Sequence, residues 1–154
     1  PGYENFCAAF TKDEKHILFG SGKGHIRIWS VEMQEIVRDW SLGFFGDVAD
    51  MKFSEDYRYL AVNLEGEGAL IRVYDYSNEK EIHSFRGAGS SGVGEPYPMT
   101  FFDGSRSFAF AKKISCVFLI LKHGKRNGAS LLQRMAKIDA NTSCLSLEYR
   151  LDHP

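Results

Sequence analysis

Hydrophobic residues occur along this chain in short runs that are separated by polar turns. Ile26–Trp29 shows the clearest two-residue alternation, which is typical of a half-buried β-strand, although Trp29 falls on the nominally polar face. The runs at Ile36-Val37 and at Ile82 are short and flanked by charged residues, as expected of a strand at the outer edge of a sheet. Ala129–Ile138 is an amphipathic helical candidate that we interpret as a strand. The pattern predicts an all-β protein.

The strand-like runs repeat along the chain at intervals of roughly 40–45 residues. Three blocks recur in the same order: Phe10–Phe19 aligns with Phe53–Val62, Ile26–Ser30 with Ile71–Asp75, and Glu35–Trp40 with Lys80–Phe85. The second copy contains two additional residues, and they fall in a turn, where insertions are tolerated. Each copy therefore comprises four short strands that are joined by polar turns.

A third and more divergent copy follows the first two. Phe101–Phe110 aligns with the block that begins at Phe53, Val117–Leu121 takes the place of the third strand, and Ala129–Met135 is the expected fourth strand. After Ala136 a strand-like tail, Thr142–Leu151, resembles the start of a fourth copy. We predict repeat units over approximately residues 5–42, 47–86 and 97–135, with the tail 136–154 starting a further unit.

Units of this length with four strands resemble the blades of WD-repeat β-propellers. Phe53–Val62 is similar to the family's F-S-x-D-x-x-x-L-A-x hairpin, and Gly24–Ser30 and Leu70–Asp75 are similar to its G-x-I-R-V-W-D third strand. The resemblance covers roughly residues 5–135 and implies four-stranded antiparallel blades. Because a propeller has about four to eight blades, three copies imply a partial propeller. We expect a fragment of a larger propeller, with further blades from the rest of the chain or from another subunit.

The sequence departs from the family pattern at the residues that lock a regular blade. The departures are Trp29-Ser30, Tyr74-Asp75 and Ile120-Leu121 at the terminal dipeptide, Gly46-Asp47 in place of Gly-His, and Lys23 and Glu67 in place of the turn Asp. The hydrogen-bonded His-Ser-Asp-Trp set of the family is therefore incomplete. The resemblance identifies a fold and not an individual family member.

Composition is that of an ordinary globular protein. The residues are 44% hydrophobic and 25% charged, and a length of 154 residues is enough for one domain with a core. The net charge of −1 supplies no overall field that would attract nucleic acid or a membrane surface, and no apolar run approaches the ~20 residues of a membrane span. Cys7, Cys116 and Cys144 are widely spaced and form no CxxC pair, which favours thiols in a reducing compartment. We expect a cytoplasmic or nuclear protein.

The stretch Gly20–Gly24 is superficially similar to a phosphate-binding loop. A G-x-x-x-x-G-K-[ST] loop would need a glycine at position 17 and a hydroxyl after Lys23, where Ile17 and Gly24 stand. A helix should also follow, whereas Ile26–Trp29 is a predicted strand. The stretch is interpreted as the turn between the second and third strands of the first unit.

The remaining motifs do not indicate catalysis. Gly87–Gly92 matches G-x-G-x-x-G, but Val93–Pro98 follows it and cannot begin the helix that a dinucleotide site needs. The histidines are scattered, and Asp13, Asp56 and Asp103 occupy equivalent turns, where an Asp side chain bonds its own backbone. We predict no catalytic residue, no cofactor and no metal, and therefore not an enzyme.

The resemblance to WD-repeat propellers implies a platform for protein partners, whose binding face is built from connectors between blades and from the turns between second and third strands. Those positions are Ser21–His25, Phe44–Asp47, Glu65–Gly68 and Arg86–Glu95. The candidate partner-binding residues are Lys23, His25, Phe44, Phe45, Glu65, Glu67 and Arg86. For the aromatic pair Phe44-Phe45, packing between adjacent blades is the alternative to binding.

Two other functions are compatible with the same sequence. One is a propeller module of a larger enzyme. The other is a part of an RNA-associated complex, in which the basic cluster of Lys122, Lys125 and Arg126 would contact phosphates.

Overall fold

The fold is all-β, as the sequence predicts. The computed structural model describes the chain over residues 5–66, 70–86, 98–112, 115–120, 125–126, 129–130, 135–139 and 146–148, with side chains over 7–66, 70–86 and 98–110. The strands form antiparallel sheets, and the first two have the four strands that the resemblance implies for a blade. The first two sheets belong to one compact unit and the third sheet to a second unit.

The first two sheets are antiparallel meanders of four strands each. The first sheet consists of β1 (Asn5–Phe10), β2 (His16–Ser21), β3 (His25–Ser30) and β4 (Glu35–Ser41). The second consists of β5 (Asp47–Phe53), β6 (Tyr59–Glu65), β7 (Leu70–Asp75) and β8 (Lys80–Arg86). Both sheets carry a register shift between their third and fourth strands, at Ile28/Trp29 and at Val73/Tyr74. The repeat that the sequence predicts is therefore a structural repeat as well.

The third sheet has five strands, which lie side by side in chain order. These are β9 (Met99–Phe102), β10 (Ser107–Lys112), β11 (Ser115–Ile120), β14 (Met135–Asp139) and β15 (Ser146–Glu148). A separate hairpin pairs β12 (Lys125–Arg126) with β13 (Ala129–Ser130).

The fourth strand of the third sheet differs from the sequence prediction. A strand was expected over Ala129–Met135, but the strand that pairs with β11 begins at Met135, and Ala129–Ser130 belongs to the additional hairpin. The hairpin lies between the third and fourth strands in sequence, so the spacing of the first two copies misplaces the strand that follows it. Ser146–Glu148, the described part of the predicted tail strand, pairs with β14 and extends the third sheet.

The turns that join the first and second strands are held by aspartate side chains, as predicted. Asp13 Oδ1 accepts hydrogen bonds from Thr11 Oγ1 at 2.6 Å and from the Lys15 backbone N–H at 3.1 Å. These donors lower the pKa of Asp13, because they stabilise its charged form. In the second sheet Asp56 Oδ1 accepts from Ser54 Oγ at 2.7 Å. These carboxylates fix turns, which is the structural role that the sequence predicts.

A hydrophobic core joins the first sheet to the second. The face of the first sheet that carries Leu18, Ile26 and Ile28 packs on the second sheet, whose core residues include Val48, Leu60, Val62 and Leu64. At one edge of this core the ring of Trp40 meets that of Tyr74 edge-on, with centroids 5.0 Å apart. Arg38 on β4 and Glu79 in the turn between β7 and β8 join the two sheets by an ion pair of 2.8 Å. Burial of this scale fixes the two sheets as one body.

Candidate functional site

The first two sheets carry their candidate residues at one common end. In an antiparallel meander the turn between the second and third strands lies at the same end as the connector that leaves the fourth strand. We call this end of the two sheets the loop end. It consists of the turn Gly22–Gly24, the connector Leu42–Gly46 and the turn residues Glu65-Gly66.

The turn Gly22–Gly24 is bonded directly to the connector. The Gly24 backbone N–H donates to the Gly46 carbonyl, and the Gly24 carbonyl accepts from the Leu42 N–H at 2.9 Å. Ser21 Oγ closes the turn by donating to the His25 carbonyl at 3.1 Å. The strand β3 follows this turn at once, which confirms that the stretch resembling a phosphate loop is a strand-to-strand turn.

Arg72 holds the connector from the second sheet. Its Nη1 donates to the Leu42 carbonyl at 2.5 Å, and its guanidinium carbon lies 5.8 Å from the centroid of the Phe44 ring. Its Nε lies 3.3 Å from Glu81 Oε2, so the charge is paired within its own sheet. An arginine in this position combines a hydrogen bond, a ring contact and an ion pair, and it fixes the connector to the second sheet.

The connector also approaches the second sheet at Gly46. A Cβ atom built on Gly46 would lie 2.1 Å from the Glu65 carbonyl oxygen and 2.4 Å from Cε1 of Phe44. No side chain fits in that space, so glycine is required for the two backbones to meet. The connector is therefore held at Gly46 as well as at Leu42.

The two adjacent phenylalanines have different environments. Phe44 is half-buried against the core of the first two sheets, where it also contacts Arg72. Phe45 is 93% exposed, although it lies between residues whose backbones are held by hydrogen bonds and close contacts. Phe44 therefore packs between the two sheets, whereas Phe45 presents its ring to solvent at the loop end.

The other candidate residues are distributed around this end of the sheets. Lys23 is exposed at the tip of its turn, with a left-handed backbone at φ +62°. Glu65 is half-buried at the end of β6, and Arg86 is exposed at the end of β8, opposite Leu70. Glu67 lies outside the described residues, as does most of the predicted segment Arg86–Glu95.

His25 has a different setting from the other candidates. Its Nδ1 lies 2.6 Å from Asp39 Oδ1 on the neighbouring strand, and Arg27 Nε lies 3.7 Å from the other oxygen of that carboxylate. The His25 side chain is therefore engaged within the first sheet, beside the loop end and not at its tip. The structure brings together Lys23, Phe44, Phe45 and Glu65, with His25 and Arg86 at the margins.

Sequence reasoning did not select Arg72, although a signal for it existed. Leu70, Arg72 and Tyr74 alternate along one face of β7, and the residues that pair with them on β6 are all apolar. A charged residue in an otherwise buried stripe indicates a specific partner, because an unpaired charge would be costly there. The partner here is the carbonyl of the connector.

Within the described ranges, no three His, Cys, Asp or Glu side chains are grouped so that they could hold a metal ion. The same part of the chain contains no helix that is long and apolar enough to cross a membrane.

Comparison with known proteins gives structural relatives only. No protein-family model matches the sequence, and no curated protein matches it. U3-55K and the WD40 repeats of RRP9 each superpose with a TM-score of 0.61 at 17% identity, over 88% of this chain and 39% of theirs. The β-propeller domain of Cps50 (Swd1) from Myceliophteria thermophila superposes with a TM-score of 0.61 at 18% identity, over 86% of this chain and 43% of that one.

The chain thus spans about 39–43% of the length of the solved structures that it resembles. Identities at this level establish a fold. Together with the four-stranded antiparallel sheets, they show that this chain has the fold of WD40-type β-propeller blades, present here as a partial propeller.

Proposed function

We propose that this chain is a non-enzymatic protein-interaction module that binds a protein partner at its loop end. The observation that carries the proposal is the exposed ring of Phe45 on a backbone that is held at Leu42, Gly24 and Gly46. A rigid aromatic side chain loses little conformational freedom when a partner covers it, and aromatic residues are enriched among the residues that dominate binding energy.

The expected contribution of Phe45 to binding affinity follows from the exposed area of its side chain. Covering a phenylalanine side chain that is fully exposed contributes roughly 1.5–3 kcal/mol, which corresponds to about one to two orders of magnitude in affinity. Lys23, Glu65 and Arg86 belong to the same end of the two sheets and bring charges of both signs to it. Charged residues at the rim select partners and their orientation more than they raise affinity. The proposal therefore assigns affinity to Phe45 and selectivity to the charges.

The proposal includes an intracellular location, in the cytoplasm or the nucleus. The support for it is the wide spacing of the three cysteines, which form no CxxC pair, as in proteins of reducing compartments.

The test is quantitative affinity capture with the full-length protein from its own cells. Partners captured by the unaltered protein are compared with those captured by Phe45→Asp and by Met33→Asp, a matched control at an exposed apolar residue on a turn at the opposite end of the first sheet. A partner of the loop end is lost with Phe45→Asp, retained with Met33→Asp, and then binds the purified protein directly. Equal recovery of every partner with both variants would show that the loop end is not the binding surface.

Charge reversal at the rim separates affinity from selectivity. Reversing Lys23, Glu65, Glu67 and Arg86 together should lower capture of the same partner, and added salt should recover part of that capture because it screens the new repulsion. If the reversed protein keeps every partner, these residues take no part in recognition.

A further inference from the structure

The hairpin of β3 and β4 exposes three apolar side chains at the end of the first sheet that lies opposite the loop end. Val31 is 45% exposed, Met33 62% and Val37 42%. We call these three residues, together with the exposed acids Glu32 and Glu35, the hairpin surface. It lies on the turn and on the beginning of the edge strand β4, outside the core that the first two sheets share.

The equivalent turn of the second sheet shows that the fold does not require an apolar residue here. Both turns have four residues, and both end at a residue with a left-handed backbone, Gln34 and Glu79, each at φ +55°. Met33 corresponds to Asn78, whose Oδ1 accepts a hydrogen bond from the Lys80 backbone N–H at 3.0 Å. Asparagine is favoured in turns because its side chain bonds the nearby backbone. A methionine side chain offers the turn nothing comparable, so its exposure has a cause outside local folding.

Hydrogen bonds hold the backbone of the turn in place. Ser30 Oγ accepts from the Met33 N–H at 3.1 Å, and the Ser30 carbonyl accepts from the Gln34 N–H at 2.9 Å. The Val31 N–H donates to the Lys15 carbonyl of the neighbouring turn at 2.9 Å. A surface that is ordered before binding loses less conformational entropy when a partner covers it.

The charges of the hairpin surface are negative. Glu32 and Glu35 are both exposed, and within the described ranges neither carboxylate takes part in an ion pair. The neighbouring turn between β1 and β2 carries two lysines and two acids, whose formal charges cancel. Carboxylates repel the phosphates of nucleic acids and of anionic lipids, whereas they attract lysine and arginine side chains. The surface therefore fits a partner that is both apolar and basic.

The edge strand β4 is poorly suited to pairing with an added strand. Ile28 pairs with Arg38 and Trp29 pairs with Ile36, so Val37 is an extra residue in a β-bulge. A bulge interrupts the regular row of backbone groups that strand addition needs, and natural edge strands use bulges to prevent it. Recognition at this place therefore depends on side chains, which favours a helix over a strand as the occupant.

We propose that the hairpin surface binds a basic amphipathic helix of a partner protein. The apolar side chains of the helix, spaced three and four residues apart, cover Val31 and Met33, and its lysine or arginine residues pair with the two acids. The surface is separate from the loop end, so this proposal does not depend on the function proposed above. Met33→Asp removes the helix and leaves a loop-end partner bound.

The test uses the full chain with ¹³C-labelled methionine methyl groups. Met33 is 62% exposed, whereas Met51 and Met99 are 4% and 6% exposed and serve as internal controls. The probe is a short helix-forming peptide of leucine and lysine that carries all leucines on one face. Titration should shift the Met33 signal saturably and leave the signals of Met51 and Met99 in place. A peptide of the same composition in scrambled order, which has no apolar face, should bind at least about tenfold more weakly.

Variants of the full chain separate the apolar contact from the charges. Met33→Asn introduces the residue that the equivalent turn carries at Asn78, so the turn is preserved, and binding of a fluorescent peptide should weaken about tenfold. Glu32→Lys should weaken binding about fivefold at low salt, with a smaller difference at high salt. Glu55→Lys makes the same charge change at an exposed acid between β5 and β6 and should leave binding unchanged.

Several results would overturn the proposal. A Met33 signal that stays in place, or that moves equally with the scrambled peptide, excludes a site for an amphipathic helix. Equal losses with Glu32→Lys and Glu55→Lys mean that the peptide binds by general charge attraction. A Met33 shift caused by phosphatidylserine vesicles alone makes a membrane the occupant, and a shift on concentrating the protein, with a dimer in sedimentation, makes it a second copy.

Discussion

At the scale of single residues, the thiol of Cys7 has an environment that opposes its ionisation. Burial raises its pKa from 9.0 to about 12, and the nearby charge of Asp50 acts in the same direction. Its Sγ donates to the Val48 carbonyl at 3.3 Å, on the first strand of the second sheet. A thiol that stays protonated is a poor nucleophile, so Cys7 acts as a small packed side chain.

We expect Cys7 to react slowly with iodoacetamide in the folded protein. With a pKa about three units higher, the thiolate population at pH 8 falls by about a thousandfold, and alkylation should be slower by at least about a hundredfold than in the urea-unfolded chain. The measurement is the time course of the modified Cys7 peptide by mass spectrometry. A folded-state rate within tenfold of the unfolded rate would contradict it.

The raised pKa of Cys7 also determines how the stability of the folded protein changes with pH. The folded-state pKa lies above the unfolded value, so the folded chain keeps the proton after the unfolded chain has lost it. The contribution of Cys7 is therefore fully present below about pH 9 and is lost as the pH rises towards 12.

Individual side chains were the least predictable part of the candidate site. The sequence places Phe44 and Phe45 in the same connector but cannot say which one packs, because that depends on the position of Arg72 in the second sheet. For Trp29 the pattern did hold a signal, since a large aromatic residue on a polar face conflicts with simple alternation. Trp29 lines a cavity on the outer face of the first sheet together with Phe19, Arg27 and Ile36.

At the scale of elements, the connector Leu42–Gly46 depends on one arginine of β7. Replacing Arg72 by Met keeps much of the side-chain volume but leaves the Leu42 carbonyl and Glu81 without this partner. We expect a loss of about 2 kcal/mol in the free energy of unfolding, since hydrogen bonds from charged groups contribute about 1.5–3 kcal/mol. The measurement is the urea midpoint at pH 7.

The control for that variant is Arg58, an arginine in the turn before β6. Arg58 is 43% exposed and its Nε lies 3.8 Å from Asp75, a geometry in which ion pairs contribute less than about 1 kcal/mol. Arg58→Met should therefore shift the midpoint much less than Arg72→Met. Equal shifts would mean that the connector is held by its backbone contacts alone.

The strands themselves were largely predictable from the sequence. Alternation and repetition are properties of local sequence, and they locate the strands of the first two sheets within a few residues. The prediction was wrong at Ala129–Met135, because the hairpin of β12 and β13 interrupts the repeat and periodic spacing cannot anticipate an insertion. Close approaches such as that of Gly46 to Glu65 could not be predicted from the sequence either, because they bring together residues that are distant along the chain.

At the scale of the molecule, the first two sheets should unfold together. Trp40 on the first sheet is 8% exposed and packs on Tyr74 of the second, so Trp40→Ala opens the interface between them. We expect a cost of about 3–5 kcal/mol, with amide exchange accelerated by similar factors in β2, β3, β6 and β7. Exchange measured by mass spectrometry or NMR on the full chain tests this.

Trp29→Ala is the matched control, because it removes the same side chain from the other face of the same sheet. Trp29 is only half-buried, so the cost should be clearly smaller than that of Trp40→Ala. Faster exchange confined to the first sheet in Trp40→Ala would show that the two sheets are separate cooperative units.

The meander order of the first two sheets also bears on how the chain acquires its structure. Each of their strands pairs with the strand before or after it in sequence, so each sheet closes within about 40 residues of its own polypeptide. Contacts this local form rapidly and do not wait for distant segments, and a sheet can assemble while later residues are still being synthesised. Such a structure can fold stepwise, and each completed sheet provides the surface on which the next sheet packs.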